Sequence, residues 1–281
     1  MAPAQWVPDD RERRDGDDAL PEVRAGGLPE YPLFADRFPA GAVDKYHAEG
    51  WDIPSNITTG AFRAPRSNFM AAAEQSFLDE LAEAMVQDPI DFRLGLLERA
   101  RMNPVGPRYD DAARYAGVLE LVLEKSGWGH ERAGVHRGVS AYFCRNSYAA
   151  HVLDLAIEDG KPVIRNVCTA VDCGIVINPD AATNLVEGAI VDAVGNALYG
   201  ALTFKDGVPE HQNFDTYRMI RHSEAPKAIE VHFVENTIDP TGLDEPAFPP
   251  TFPAFANAIY KATGKRGYDQ PFGPHLDAFA G

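Results

Sequence analysis

The hydrophobic period of the sequence changes near residue 127, and this change constrains the fold more than any other feature. Before it, apolar residues recur at helical spacing, as in "NFMAAAEQSFLDELAEAMVQ" (68–87). After it, "GVSAYFCRN" and "AAHVLDLAIED" are typical of strands, and Asp159-Gly160 predicts a tight turn into "KPVIRNVCTAVD". Helices combined with such strands predict an α+β fold, in which mixed sheets pack against helices. The first helix has five apolar residues on one face: Phe69, Ala73, Phe77, Leu81 and Met85.

The remaining elements are predicted from the same patterns. Pro89 is expected in the first turn of a second helix, "IDFRLGLLERA", and a third helix covers 109–127. A small-residue helix covers 181–202, a strand covers 228–235, and a last helix covers about 253–263. Gly264 is expected to end that last helix.

Composition divides the chain into two regions. Residues 1–55 are rich in Pro, Gly and acidic residues and show little period, which predicts an extended arm without a core of its own. Residues 56–281 carry the periodic segments and are predicted to form one domain.

Charge and hydropathy exclude two classes of partner. The net charge of −16 is unfavourable for binding nucleic acid. No apolar run approaches the ~20 residues that a membrane span needs. Arg13-Arg14 lies in the acidic run "DDRERRDGDD" without an apolar stretch behind it, so it does not predict an export signal. We therefore expect a cytoplasmic protein, with the periplasm as the alternative if a signal-bearing partner is exported with it.

The three cysteines, Cys144, Cys168 and Cys173, form no disulfide framework. Their odd number is typical of a reducing compartment or of buried thiols. Cys168 and Cys173 are spaced C-x4-C, but a zinc site or iron–sulfur cluster needs about four ligands. The sequence therefore predicts no protein ligand to a metal.

The helix at 181–202 is unusual in its many small residues, and two interpretations are open. The first is tight packing of the helix on a sheet. The second is close contact between its backbone and a bulky ligand, since Gly and Ala present little steric barrier. The small residues are Gly188, Ala189, Ala193, Gly195, Ala197 and Gly200.

Four segments, in this order, resemble one known family. They are "TGAFRAPRSN…EQSFLDELAEAMVQDPIDFRLGLL" (59–97), "VDCGIVINPDAATNLVEGAIVDAVGNALYG" (171–200), "NFDTYRM" (213–219) and "PTGLDEPAFPPTFPAFANAIYKATGKR" (240–266). Together they resemble the C-terminal part of the molybdopterin-binding (large) subunit of the xanthine dehydrogenase / aldehyde oxidase family. The resemblance is greatest to the branch that contains the isoquinoline 1-oxidoreductase beta-subunit and bacterial aldehyde dehydrogenases.

The resemblance implies a cofactor and a reaction. Such subunits hold molybdopterin cytosine dinucleotide with molybdenum, and they oxidise an aldehyde or an N-heterocycle with water as the oxygen donor. A glutamate acts as the base, and electrons leave to 2Fe–2S clusters on a partner subunit. Family subunits are also much longer. The implied partners are thus a chain that supplies the N-terminal half of the molybdenum subunit, an iron–sulfur subunit and, as a further candidate, a FAD or cytochrome subunit.

The resemblance also selects site residues. The family's catalytic glutamate lies in a G-x-G-E-P-type motif that matches "GLDEP", which makes Glu245 the expected base. Arg63 matches the arginine that orients substrate and stabilises developing charge. Five further residues match positions near the cofactor: Ser147, Tyr148, Asn178, Glu187 and Gly188.

Several positions depart from the family pattern. Asp244 replaces the glycine before the catalytic acid, and Arg66 replaces a glycine after the "FRAP" segment. Leu185 and Ala189 replace the glutamine and the second glycine of the Q-x-E-G-G helix motif. These changes leave an alternative open, in which the chain is a non-catalytic structural subunit or a degenerate paralogue that keeps the fold and the partner interface.

Overall fold

A computed structural model describes residues 37–48, 57, 60–106 and 109–276 of the chain. The helices are α1 (Ser67–Ala84), α2 (Pro89–Met102), α3 (Ala112–Ser126), α4 (Pro179–Tyr199) and α5 (Thr251–Thr263). The strands are β1 (His136–Cys144), β2 (Ser147–Glu158), β3 (Lys161–Asp172), β4 (Phe204–Lys205), β5 (Val208–Pro209) and β6 (Ile229–Phe233). The predicted α+β class with a mixed sheet is confirmed, as are the predicted helices and main strands.

The main sheet has the strand order β1-β2-β3-β6, and the short strands β4 and β5 form a separate hairpin. β1, β2 and β3 are antiparallel neighbours, whereas β6 runs parallel to β3. Helices cover the sheet on both faces, so the middle strands are buried along most of their length. One core lies between the sheet and the helices α4 and α5, and a second lies between the sheet and the helices α2 and α3.

Part of the predicted arm packs against the second core. Phe38 stacks edge-on against Tyr115 of α3, with ring centroids 5.1 Å apart. The Phe38 N–H donates to the Asp110 carboxylate at 3.0 Å, and Gly41 forms a β-bridge with Val105. Residues 1–36 and 49–55 lie outside the described residues, and the division of the chain at residue 55 stays a prediction.

The apolar face of α1 that the sequence identifies is not the face that packs on the body of the protein. Phe69, Phe77 and Met85 are more than half exposed. The buried face carries mainly small and polar residues: Ser67, Ala71, Ala72, Gln75, Leu78, Asp79 and Ala82. The polar members are satisfied across the core, because Gln75 accepts from Arg93 at 2.9 Å and Asp79 pairs with Arg266 at 2.7 Å.

Among the described residues, no helix is long and apolar enough to cross a membrane.

The end of α1 places a valine where a glycine is usually found. The Val86 N–H donates to the Glu83 carbonyl and the Gln87 N–H to the Ala82 carbonyl, both at 2.9 Å. This pair of bonds is a Schellman motif, and it puts Val86 at φ 56°. A β-branched residue is disfavoured in this left-handed region. The Val86 side chain is 93% exposed, so little packing compensates for the strain.

We expect Val86→Gly to raise the free energy of unfolding by about 1 kcal/mol. Relief of ~1–2 kcal/mol of left-handed strain exceeds the ~0.5–1 kcal/mol that the flexibility of glycine costs. Urea denaturation of the full chain measures the difference. Val86→Ala is the control, because it keeps the left-handed strain and should change stability less. A glycine variant no more stable than the valine protein would show that the turn is not strained.

Candidate functional site

The loop before α5 is attached to the sheet at both of its ends. At its start, the Ser147 hydroxyl donates to the Gly242 carbonyl and lies 2.6 Å from the Thr241 hydroxyl. At its end, the buried Ser140 hydroxyl donates to the Pro250 carbonyl. Prolines within the loop restrict its backbone further. These hydrogen bonds and prolines hold the loop in one conformation, with Glu245 in its middle.

A buried histidine holds the centre of this loop. The His151 Nε2 lies 2.8 Å from the Ala247 carbonyl, which also accepts from the Thr251 hydroxyl at 2.9 Å. Burial lowers the pKa of His151 to about 4, so the ring is neutral at pH 7 and its Nε2 must carry the proton that it donates. This bond anchors the loop to β2 without placing a charge beside it.

The Glu245 carboxylate is held by two donors and is only 13% exposed. Its Oε1 accepts the Ala64 N–H at 3.0 Å, and its Oε2 accepts the Arg145 Nε at 2.9 Å. Ala64 is buried and has a φ of 54°. The backbone is therefore in the left-handed region, which L-residues rarely adopt, at the residue that donates to Glu245. Such backbone strain is concentrated at functional sites. Asp244, the preceding residue, is exposed.

Arg63 links the same loop to α4. One guanidinium nitrogen donates to the Asp192 carboxylate at 3.0 Å, and another donates to the Asp244 backbone carbonyl at 2.5 Å. Its guanidinium carbon also lies 5.5 Å from the centre of the Phe248 ring. Arg63 and Glu245, the two predicted catalytic residues, therefore lie in adjoining segments of one site.

Arg145 is a residue of this site that the sequence interpretation missed, because its segment was assigned to a strand. Arg145 and Asn146 form the two-residue turn between β1 and β2, with φ of 55° and 59°. Positive φ at both central residues is the type I′ arrangement, for which asparagine is favoured. The turn projects the Arg145 side chain onto Glu245. The asparagine between two alternating runs is the signal that could have identified the turn.

Ser147 and Tyr148 point to opposite faces of β2, as neighbouring residues in a strand must. Ser147 supports the Glu245 loop, as described above. The Tyr148 hydroxyl accepts the Asp111 N–H at 2.6 Å at the start of α3, and the Tyr148 ring lies in the second core. The structure therefore brings Ser147 to the candidate site and places Tyr148 away from it. Cofactor contact by either residue stays a prediction.

Of the three residues predicted for the α4 region, Asn178 directly precedes the helix, and Glu187 and Gly188 lie within it. Asn178 caps the helix, since its side-chain oxygen accepts the Ala181 N–H at 3.1 Å. Glu187 is half-buried and Gly188 is exposed. A Cβ added at Gly188 would meet no atom within 4 Å. Gly188 precedes Asp192, the partner of Arg63, by one helical turn, so the open face of α4 at Gly188 lies next to the Arg63 contact.

The other small residues of α4 serve packing. Ala189, Ala193 and Ala197 are fully buried in the first core. A Cβ on Gly195 would lie 2.9 Å from the Ile220 side chain, and one on Gly200 would lie 2.7 Å from the Asn196 carbonyl oxygen. The packing interpretation therefore holds for these residues, and the ligand interpretation remains for Gly188 alone.

A family model described as "Molybdopterin cofactor-binding domain" matches residues 54–226 of the chain. A membrane-bound aldehyde dehydrogenase [pyrroloquinoline-quinone] of Gluconacetobacter polyoxogenes is 30% identical over 230 residues, which are 76% of this chain and 29% of that protein. The isoquinoline 1-oxidoreductase subunit beta of Brevundimonas diminuta is 30% identical over 210 residues, which are 73% of this chain and 25% of that protein. The chain thus spans less than a third of the length of either relative.

A solved structure supports the fold independently. The aldehyde oxidoreductase from Desulfovibrio desulfuricans ATCC 27774 superposes with a TM-score of 0.60 at 13% sequence identity, over 78% of this chain and 41% of that one. The identity is too low to carry more than the fold. The family model and the two relatives show that the chain belongs to the molybdopterin-binding subunits of the xanthine dehydrogenase / aldehyde oxidase family.

Proposed function

We propose that this chain is one part of a molybdenum hydroxylase that oxidises an aldehyde or an N-heterocycle with oxygen from water. One observation carries the proposal. The segments that contain Arg63 and Glu245, which the family motifs select separately, are in direct contact although they lie 181 positions apart in the sequence. The names of the two relatives, an aldehyde dehydrogenase and an isoquinoline oxidoreductase, support the substrate classes.

The proposed cofactor is molybdopterin cytosine dinucleotide with molybdenum, shared with a partner chain. When bound, it would supply the metal centre that activates water and takes up two electrons from the substrate. The open face of α4 at Gly188 would contact it, with Glu187 on the same helix, Asn178 at the cap of that helix and Ser147 behind the Glu245 loop. A Cβ at Gly188 would meet no atom within 4 Å, so the helix surface is open to a bound group at this position.

Glu245 acts in this proposal as the general base. A carboxylate has about four lone-pair sites, so the bonds from Ala64 and Arg145 leave sites that can accept a proton. These two bonds also fix the orientation of the carboxylate, which general-base catalysis requires. Arg63 has five N–H donors, of which the contacts with Asp192 and Asp244 use only part. The remaining donors would orient the substrate and stabilise negative charge that develops on it.

We propose two protein partners. A separate chain supplies the N-terminal half of the molybdenum subunit, and an iron–sulfur subunit receives electrons through 2Fe–2S clusters; a FAD or cytochrome subunit is a further candidate. The exposed apolar side chains of Phe69 and Phe77 on α1, and of Met85 directly after it, support the presence of a covering partner. We expect the assembly in the cytoplasm, or in the periplasm if a signal-bearing partner is exported with it.

The alternative function is a non-catalytic subunit or a degenerate paralogue that retains the fold and the partner interface. The observation that favours it is the ion pair between Arg145 and Glu245, which gives the acid a structural partner. The replacements at Asp244, Leu185 and Ala189 point in the same direction.

The Gly188→Leu variant tests the cofactor proposal. Since a Cβ at this position meets nothing in this chain, the variant should fold normally. If the open face is where the cofactor lies, the leucine side chain will compete with it for space. We expect the molybdenum and pterin dinucleotide recovered from the purified assembly to fall by about tenfold or more, which corresponds to ~1.4 kcal/mol of lost binding.

Gly95→Ala on α2 is the matched control, because it also adds a side chain at an exposed helical glycine with no atom within 4 Å. It should leave the molybdenum and pterin content unchanged. Full cofactor content in Gly188→Leu would show that the cofactor does not contact α4 at this position. A wild-type assembly that lacks both molybdenum and pterin would favour the non-catalytic alternative.

A further inference from the structure

Three side chains with metal-binding atoms meet on the face of the sheet that α3 covers. The parallel register of β3 and β6 pairs Cys168 with Glu230 and Ala170 with His232. Paired residues project to the same face of a sheet, as do residues two apart along a strand. The Cys168 sulfur, a Glu230 carboxylate oxygen and a His232 ring nitrogen accordingly lie within 4.8 Å of one another.

The donor atoms of this cluster are available for a ligand. Cys168 is a free, buried cysteine. The Nε2 atom of His232 is buried, and none of the described residues hydrogen-bonds it. A buried polar atom without a partner is rare in native proteins unless an ion, a ligand or water satisfies it. This orphaned nitrogen is a second observation, independent of the spacing, that points to a bound species.

The surroundings support an ion at this position. Asn166 donates to one oxygen of Glu230 at 2.8 Å, which orients the carboxylate and leaves the other oxygen for coordination. Three cations interact with Cys168, and each is paired with an acid: Arg132 and Arg137 with Asp154, at 2.6 and 2.8 Å, and Lys125 with Glu124 at 2.7 Å. These ion pairs offset part of their charge. Glu230 is exposed, so an ion could enter from solvent.

We propose that Cys168, Glu230 and His232 bind a zinc ion. Zinc accepts sulfur, nitrogen and oxygen ligands in one tetrahedral site, whereas magnesium and calcium prefer oxygen alone. Three protein ligands leave the fourth position open to water. The site lies on the opposite face of the sheet from the Glu245 loop and is independent of the proposed molybdenum centre.

Cobalt(II) titration of the full chain tests the proposal, because cobalt replaces zinc in such sites and a thiolate ligand gives a sulfur-to-cobalt absorption band in the near ultraviolet. We expect one equivalent of cobalt per chain to produce the band and zinc to remove it. Cys168→Ala should abolish the band. Glu230→Gln and His232→Gln should each weaken binding by at least about tenfold, and Asn166→Ala, which changes only the support of a ligand, by about 10–100-fold.

Cys173→Ala is the matched control, since Cys173 is also a free, buried cysteine but belongs to the other core. It should leave the cobalt band intact. A band that survives Cys168→Ala, or that disappears in Cys173→Ala, would overturn the proposal, as would a folded wild-type chain that gives no band. If Cys168→Ala does not fold, the Glu230→Gln variant provides the test, because it alters only an exposed side chain. Unchanged cobalt affinity in that variant would reject the site.

Discussion

Glu245→Gln is expected to lower kcat/KM of the assembled, cofactor-loaded enzyme by about 10²–10⁴-fold, the usual contribution of a general base. Glutamine keeps the size and shape of the side chain and can still accept the Ala64 N–H, but it cannot take a proton from an activated water. The measurement is steady-state turnover of an aldehyde or N-heterocycle substrate. Molybdenum and pterin content are determined on the same samples, and they should match those of the wild type.

Asp244→Asn is the matched control for this prediction. It makes the same chemical change at the adjacent residue, whose side chain is exposed and whose backbone carbonyl, not its carboxylate, binds Arg63. Its turnover should stay within a few-fold of the wild type. If Glu245→Gln also stays within a few-fold, Glu245 is not the base, and its bonds with Ala64 and Arg145 are structural.

Gly138→Ala is expected to destabilise the protein by about 3 kcal/mol or more. A Cβ at this position on β1 would lie 2.0 Å from the Ala254 carbonyl oxygen and 2.4 Å from the Ala258 nitrogen, both in the backbone of α5. Backbone atoms cannot move aside as a flexible side chain can, so the helix must shift away from the strand. Urea denaturation of the full chain measures the loss. Because α5 directly follows the Glu245 loop, the shift should also disturb the candidate site.

Gly95→Ala again provides the comparison for stability. This exposed position within α2 has space for a side chain, and alanine should stabilise the helix by up to about 1 kcal/mol. Changes of opposite sign in the free energy of unfolding would show that contact with α5, and not the loss of a glycine as such, determines the effect at Gly138. A Gly138→Ala variant with wild-type stability would contradict the close packing of α5 on β1.

The sequence predicted the helices and the main strands because their signals are local. Hydrophobic period, the Asp159-Gly160 turn and Pro89 at the start of α2 act over a few residues. The exposed side of α1 was harder to foresee. Phe69 and Phe77 form the more apolar stripe, yet Ala71 and Ala72 allow closer approach, and Gln75 finds its partner only in the folded chain.

Residue patterns along the sequence do not predict contacts between distant segments. The Arg145–Glu245 ion pair joins positions 100 apart, and its geometry depends on a hairpin turn that resembled a continuing strand. The Cys168 cluster depends on the parallel pairing of β3 and β6, which no local motif specifies. Ser147 and Tyr148 are different, because the period of two in a strand already implies that only one of them faces the Glu245 loop.

A structure of the assembled, cofactor-loaded protein tests the central claim most directly, through the distance between the Glu245 carboxylate and the atom whose proton Glu245 is proposed to take. We expect about 2.6–3.2 Å, or one bridging water, as a general base requires. The face of α4 at Gly188 should contact the cofactor in the same structure. A cofactor bound elsewhere, with Glu245 bonded only to Ala64 and Arg145, would contradict the account.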